Sequence, residues 1–472
     1  MVQLGIDLLL ALPDGVGRRD GLQQALRHAI RSGALQPGAR LPSSRVLAAD
    51  LGVARGTVVG AYNQLAVEGW LTIRPASGTV VTAAYRPSPG RALPRLAVAD
   101  PATPRHDLRP GRPEAGSFPR AAWLAATRAA INRASDSIWD ARYRLGRPEP
   151  RHALAAYLGR ARGVLTSPDQ IAICAGFAGG LGLVASLLPP AAPVAVEATT
   201  LTRLRDVLHC HGHPTQPVPI DDGGAVIDAL DQLDPPPAAV LVTPAHQYPY
   251  GATLDPARRH QLIRWAARHD ALVIEDDYDG EFRYDRQPIG ALQALDPDRT
   301  IYAGTASKTL APALRIGWLA LPPGLTARLA GLDAVLAQDC PVPVTDQLAL
   351  AELIDNGGYD RHIRRMRQRY HRRRDELVAR LHAGIPDLIV RGTDAGLHAV
   401  LQLPSGADEA AVLSACDQHH VSVAAVHTDA ITALIDGHPA IIVGYGTPSA
   451  HAFDAAISAL TSALVGLRLD WR

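Results

Sequence analysis

The chain has 472 residues, 47% of them hydrophobic and 20% charged, and a formal net charge of +1. That length accommodates two or three domains with substantial cores, while the balanced charge excludes a globally basic nucleic-acid binder and confines any DNA-binding function to a local patch. Cys174, Cys210, Cys340 and Cys416 lie far apart and form no CxxC pair, which predicts reduced thiols and a cytoplasmic setting.

The opening run LGIDLLLAL is interrupted by Asp7 and lacks a basic flank, so it does not read as a signal peptide. Leu22, Leu26 and Ile30 then recur at helical spacing before QPGARLPS stops the pattern. Ser43 and Ser44 can cap a second helix, SRVLAADLG, whose Gly52 makes a turn, and a third helix follows in ARGTVVGAYNQLAVEGW. Two short helices joined by a glycine turn predict a helix-turn-helix whose second helix enters the major groove of double-stranded DNA, although such a unit can also dock a protein. WLTIRPASGTVVT predicts a β-hairpin wing. Arg55 at the start of the third helix can fork onto a guanine edge, and Ser43 and Thr57 suit phosphates. Arg45 and Arg74 are further candidates for phosphate contact, with Gly78 in the wing. Residues 20–83 hold six Arg against two Asp and one Glu, a positive excess of the sign DNA requires.

Residues 15–83 are therefore read as a winged helix-turn-helix domain, and 84–106, rich in Pro and Arg without apolar periodicity, as a linker. From 107 to 472, helical patterns alternate with the β-like runs IAICA, PVAVE, AAVLVT, ALVIED and RTIYAG. That alternation predicts an α/β domain with a mostly parallel sheet. The uncharged stretch Gln170 to Val196 is long enough to span a membrane, but its glycines and prolines divide it into strand, turn, helix and strand.

Lys308, in GTASKTLAPALRIGW, is the only lysine; arginine provides every other cationic side chain of the 47 Lys and Arg residues. A lysine whose task is charge can be replaced by arginine, whereas one that must act as an amine cannot. Pyridoxal 5′-phosphate (PLP) needs an amine for its aldehyde, an acid for its pyridine nitrogen and an anion cradle. Lys308 supplies the amine, Asp276 or Asp277 the acid at a strand's C-terminal edge, and Tyr278 a partner for the ring hydroxyl. CAGFAGGLGLV offers backbone amides at a helix start. Thr305 and Ser307 add hydroxyls, and Arg315 a bidentate charge.

LPSSRVLAADLGVARGTVVGAYNQLAVEGWLTIRPASGTVV resembles the winged helix of GntR regulators, and the larger domain resembles the fold-type I aminotransferases. Both together, in this order, are similar to the MocR-type transcriptional regulators. TPAHQYPYGATLDPARRHQLIRWAARHDALVIEDDYDGEF and GTASKTLAPALRIGW carry the likeness in the second domain. The resemblance implies an aminotransferase-like domain with a smaller C-terminal subdomain, a head-to-tail homodimer, and Lys308 joined to PLP as a Schiff base. It further implies Asp276 at the pyridine nitrogen, Tyr278 at the ring hydroxyl, and phosphate held by Thr305, Ser307, Arg315 and the amides of Phe177 and Ala178. An amine or amino-acid effector, or PLP itself, would then regulate operator binding. Within the larger domain three positions depart from the family: Leu201 replaces the tyrosine that stacks on the ring, Tyr250 replaces Thr or Ser, and Ile442 aligns with the carboxylate-binding arginine of true aminotransferases. Arg203 is the substitute candidate for an effector carboxylate. A working aminotransferase with an accessory winged helix and a regulator without PLP are the alternatives.

The cluster HCHGHP (His209, Cys210, His211, His213) lacks zinc spacing and is read as no metal site. The basic run Arg361 to Leu377 is read as a helix with a solvated, ion-paired face.

Overall fold

Leu22, Leu26 and Ile30 fall on one face of α1 (Arg18–Arg31) and are fully buried against α3 (Arg55–Val67). The computed structural model describes residues 17–74, 78–82, 104–139, 143–284, 289–331, 342–425 and 438–467. Between α1 and α3, Ser43 caps α2 (Ser44–Asp50) by accepting from the Val46 amide at 3.3 Å, and Gly52 turns the chain with φ +60°. A left-handed φ at that turn suits glycine, which has no Cβ to clash. β1 (Leu71–Arg74) and β2 (Gly78–Val81) pair antiparallel as the predicted wing, with Arg74 opposite Gly78. Pro75 to Ser77 at the wing tip, and most of the predicted linker, lie outside the described residues. This unit, and a larger one from residue 104 onward, are separate compact bodies.

The larger body is built on a seven-stranded sheet. Its strands in chain order are β3 (Ile171–Cys174), β4 (Val194–Glu197), β5 (Thr215–Val218), β6 (Ala239–Val242), β7 (Leu272–Asp276), β8 (Thr300–Thr305) and β9 (Gly317–Ala320). Their order across the sheet is β3-β9-β8-β7-β6-β4-β5, and only β9 runs against its neighbours. All five β-like runs found in the sequence become strands of this sheet. Most are buried along their whole length, because helices cover both faces of such a sheet. The uncharged stretch from Gln170 resolves into β3, the helix Gly176–Ala185 and β4. No helix among the described residues is long and apolar enough to cross a membrane.

The preceding helices α4 (Arg120–Arg133) and α5 (Pro148–Arg162) pack with a later helix, Val344–Asp355, on one side of the sheet. A 27-residue helix, Gly358–Gly384, runs from there into a smaller subdomain. In that subdomain Met366, Tyr370, Leu377 and Leu381 pack with Phe453, Ile457 and Leu460 over a second, four-stranded sheet.

Near the carboxyl end of β8, three backbones approach closely. A Cβ at Gly317 would lie 2.9 Å from the Cα and carbonyl carbon of Gly176 and 3.2 Å from Cys174 Sγ. Backbone cannot yield as a flexible side chain can, so Gly317→Ala should cost about 1–3 kcal/mol. A lowered midpoint in denaturant unfolding, with secondary structure retained, is the expected result.

Candidate functional site

β7 ends in Glu275 and Asp276, Asp277 follows directly, and the alternation of extended chain sends the three to different places. Glu275 is fully buried and accepts from the amides of Leu292 and Gln293, each at 2.8 Å. Asp277 accepts from Arg162 Nε at 2.7 Å and Nη2 at 3.1 Å, and from the Tyr302 hydroxyl at 2.7 Å. Asp276 points the other way, into a cavity of about 400 Å³. The structure thus separates the two acids that the sequence left equivalent. Asp276 Oδ1 is buried there without a hydrogen-bond partner among the described residues. Burial pushes its carboxyl up to about 8, against the opposing pull of Lys308 and Arg203. Such a group favours a cationic hydrogen-bond donor, which no described residue supplies to this oxygen.

Lys308 enters the same cavity from a single helical turn, Ala306–Thr309, that follows β8. Thr305 caps this turn by accepting from the Ser307 amide at 3.1 Å. The ammonium donates to the Gly111 carbonyl at 2.5 Å. Burial, reinforced by the Arg203 charge and offset by Asp279 and Asp276, lowers the amine to about 8. Gly111 belongs to a segment held from behind by the smaller subdomain: the Gly444 amide donates to the Leu108 carbonyl at 2.7 Å, and the Thr447 hydroxyl to the Arg109 carbonyl at 2.8 Å.

An anion cradle forms beside the lysine. Gly176, with φ +70°, opens the helix Gly176–Ala185, whose first turn brings Phe177 and Ala178 to the cavity wall. Arg315, itself at φ +52°, lines the cavity and donates to the Ala175 carbonyl at 3.0 Å. Thr305 Oγ1 and Ser307 Oγ are 2.9 Å apart at the same place. Tyr278 also lines the cavity, and its hydroxyl lies 3.0 Å from His246 Nδ1, which is 2.9 Å from Asp279 Oδ2. Arg203 is exposed at the cavity rim on the helix Thr202–Cys210, and Leu201 lines the wall beside it.

Tyr250 and Ile442 are elsewhere. Both are buried in one apolar cluster with Val400 and Ala440, so Ile442, which the resemblance places where a carboxylate-binding arginine is expected, is enclosed by apolar side chains. Sequence reasoning missed Gly111, His246, Asp279 and Glu197. Glu197 ends a strand as Asp276 does; it accepts from the Thr243 hydroxyl at 2.6 Å and amide at 3.0 Å, and from Gln247 at 3.1 Å. A strand-end carboxylate was the available signal for it. Nothing in the sequence marks a glycine carbonyl as the partner of a lysine.

In the smaller body, Ser43, Arg45, Arg55, Arg74 and Gly78 are exposed and Thr57 is half-buried. Arg55 is the first residue of α3, and its Nε donates to Ser44 Oγ at 3.4 Å. A groove between α3 and the wing is lined by Arg40, Ser43, Asn63 and Gly78. Arg40, absent from the sequence reading, lies over Gly78, where a Cβ would stand 3.1 Å from its Nε.

The histidines of HCHGHP diverge: His209 meets Thr215 Oγ1, His211 the Val207 carbonyl, and buried His213 the carbonyls of Ala192 and Ala185. On the 27-residue helix, Arg369 and Arg373 share Glu114, and Arg374 pairs with Asp394.

Two family models match the chain: bacterial regulatory proteins of the gntR family over residues 18–81, and aminotransferase class I and II over residues 116–435. The pyridoxine biosynthesis transcriptional regulator PdxR of Corynebacterium glutamicum is 38% identical over 80% of this chain and 82% of its own length. The probable rhizopine catabolism regulatory protein MocR of Rhizobium meliloti is 33% identical over 80% of each. The chain belongs to the MocR-type regulators of the GntR family. Like other members of that family, this MocR-type chain is a DNA-binding transcriptional regulator with an aminotransferase-type second domain. Among solved structures, Pyrococcus horikoshii kynurenine aminotransferase in complex with PMP matches 78% of this chain and 92% of its own, with a TM-score of 0.68 and 25% identity.

Because this regulator has one lysine, its side-chain amine can be titrated without background. Labelling of the Lys308 peptide by an amine acylating reagent should rise with pH about a midpoint near 8, since the neutral amine is the reactive form. A midpoint near the ordinary lysine value of about 10.4 would contradict the cavity electrostatics.

Proposed function

We propose that this regulator binds PLP in the 400 Å³ cavity and that occupancy of the cavity sets its affinity for operator DNA. The observation that carries the reading is the convergence there of the chain's only lysine with the unpartnered oxygen of Asp276. The residues present fit the cofactor. Lys308 would hold it covalently, Asp276 would accept from its ring nitrogen, and Tyr278, oriented by His246 and Asp279, would face its ring hydroxyl. Arg315, Thr305, Ser307 and the amides of Phe177 and Ala178 would hold its phosphate. When bound, PLP supplies an electrophilic aldehyde conjugated to an electron-withdrawing ring.

Sensing rather than turnover is favoured by the apolar surroundings of Ile442. A catalytic transaminase must grip a substrate carboxylate, and that position carries no charge. PLP itself is taken as the signal, consistent with the relative named for pyridoxine biosynthesis. An amine or amino-acid effector is the second reading, favoured by the exposed guanidinium of Arg203 at the rim. A head-to-tail homodimer is part of the same proposal, because a pair of winged helices matches a two-fold operator.

Purified protein mixed with PLP should show a visible band that borohydride bleaches, with the added mass on the Lys308 peptide. Lys308→Ala should lose both the band and any effect of PLP on operator binding. PLP-dependent operator binding that persists in Lys308→Ala would sink the covalent reading, and transamination at ordinary enzyme rates would favour the catalytic alternative. On the DNA side, Ser43, Arg45, Thr57, Arg74 and Gly78 would position the phosphate backbone and Arg55 would read a base. Arg55→Ala should weaken specific operator binding by about 1–3 kcal/mol while leaving non-specific binding at low salt nearly unchanged, as a fluorescence anisotropy titration would report.

A further inference from the structure

The larger body holds a second cavity of about 440 Å³, behind the carboxyl end of β7. Four guanidinium groups line it: Arg162, Arg283, Arg364 and Arg367. Two carboxylates, Glu281 and Asp360, line it as well.

The charges do not cancel locally. Arg162 is committed to Asp277, Asp360 pairs with Arg160 at 2.8 Å, and Arg283 donates to the Ala245 carbonyl at 2.9 Å and to Thr253 Oγ1 at 3.2 Å, so any anion in the cavity depends on Arg364 and Arg367. Arg367 gives its Nε to the Glu281 carbonyl at 2.8 Å, and its two terminal nitrogens have no hydrogen-bond partner among the described residues. Among the described residues, neither Arg364 nor Arg367 forms an ion pair with a carboxylate. They are three residues apart on one helix, so they present neighbouring forks to the same space. Glu281, the remaining acid, is tied to the Tyr157 hydroxyl at 3.3 Å; burial, with Asp277 nearby, raises it to about 7 and so weakens its claim on the arginines.

We propose that this cavity is a binding site for the phosphate group of a small metabolite or for free phosphate, separate from the PLP cavity. Planar guanidinium forks match tetrahedral oxyanions in bidentate geometry. The volume suits a small ligand rather than a polymer. Arg162 connects the two cavities. It borders this one, and its carboxylate partner Asp277 is the chain neighbour of Asp276 in the other.

The test is calorimetric titration of the full chain with inorganic phosphate, against sodium chloride at matched ionic strength. It is run in an Arg315→Ala background, which removes the guanidinium of the PLP cradle; the result therefore does not depend on whether PLP binds. Saturable binding should survive in that background and weaken at least tenfold on adding Arg364→Ala and Arg367→Ala together. Because Arg367 also supports the Glu281 backbone, Arg364→Gln alone is the control for folding and should weaken binding severalfold with unfolding unchanged. Phosphate affinity unaltered by these substitutions, or heat reproduced by chloride, would overturn the proposal. Loss of operator affinity without any change in phosphate binding would overturn it too, and would assign these arginines to DNA.

Discussion

The cavity depends on the close approach of two strand ends and a helix start, and that approach is possible because two glycines face each other. Gly317 and Gly176 meet backbone to backbone, which brings β9 and β3 together and aims the first turn of the following helix at the space beside Lys308. Any side chain at Gly317 would wedge these elements apart. The phosphate-sized hollow between Arg315, Thr305 and the helix amides is therefore a packing result before it is an electrostatic one. Arg315 fits there in a left-handed backbone conformation, which fixes its guanidinium against the Ala175 carbonyl.

Electrostatics then give the hollow its chemistry. Asp276 and Lys308 are both buried far enough that each is pushed toward its neutral form, the acid upward and the amine downward, and they meet near the same pH. Asp277, the next residue, is fully partnered. Its charge is matched by Arg162 and hydrogen-bonded by Tyr302, and breaking so deeply buried a pair costs about 3–5 kcal/mol. Gly280 makes room for it, since a Cβ there would lie 2.1 Å from Asp277 Oδ1. One residue along a strand is enough to turn a structural carboxylate into one that lacks a partner.

Much of this was legible in the sequence because strand and helix periods, glycine turns and strand-end acids are local signals. The five β-like runs, the wing and the capping of α2 by Ser43 follow from them. The choice between Asp276 and Asp277 did not, because both end the same strand and only the arrival of Arg162 from a distant helix distinguishes them. Gly111 was invisible for a similar reason: a carbonyl has no residue-type signature, and its place is set by contacts with residues 444 and 447, more than 300 positions away. Arg40 escaped notice because the wing folds back over it. The basic run on the long helix was readable as helix, but which of its arginines meet Glu114 and which face a cavity depends on tertiary placement.

The solitary lysine has a consequence for the surface as well as for the cavity. Aldehydes condense with primary amines wherever they find them, and an ordinary protein offers many. Here the exterior carries guanidinium groups, which do not form stable imines at neutral pH. Every cationic side chain but one is arginine. Among its side chains, an aldehyde metabolite meets one amine, in a cleft built of groups that suit it, so the molecule's response to such a compound is free of the stoichiometric noise that scattered lysines would add.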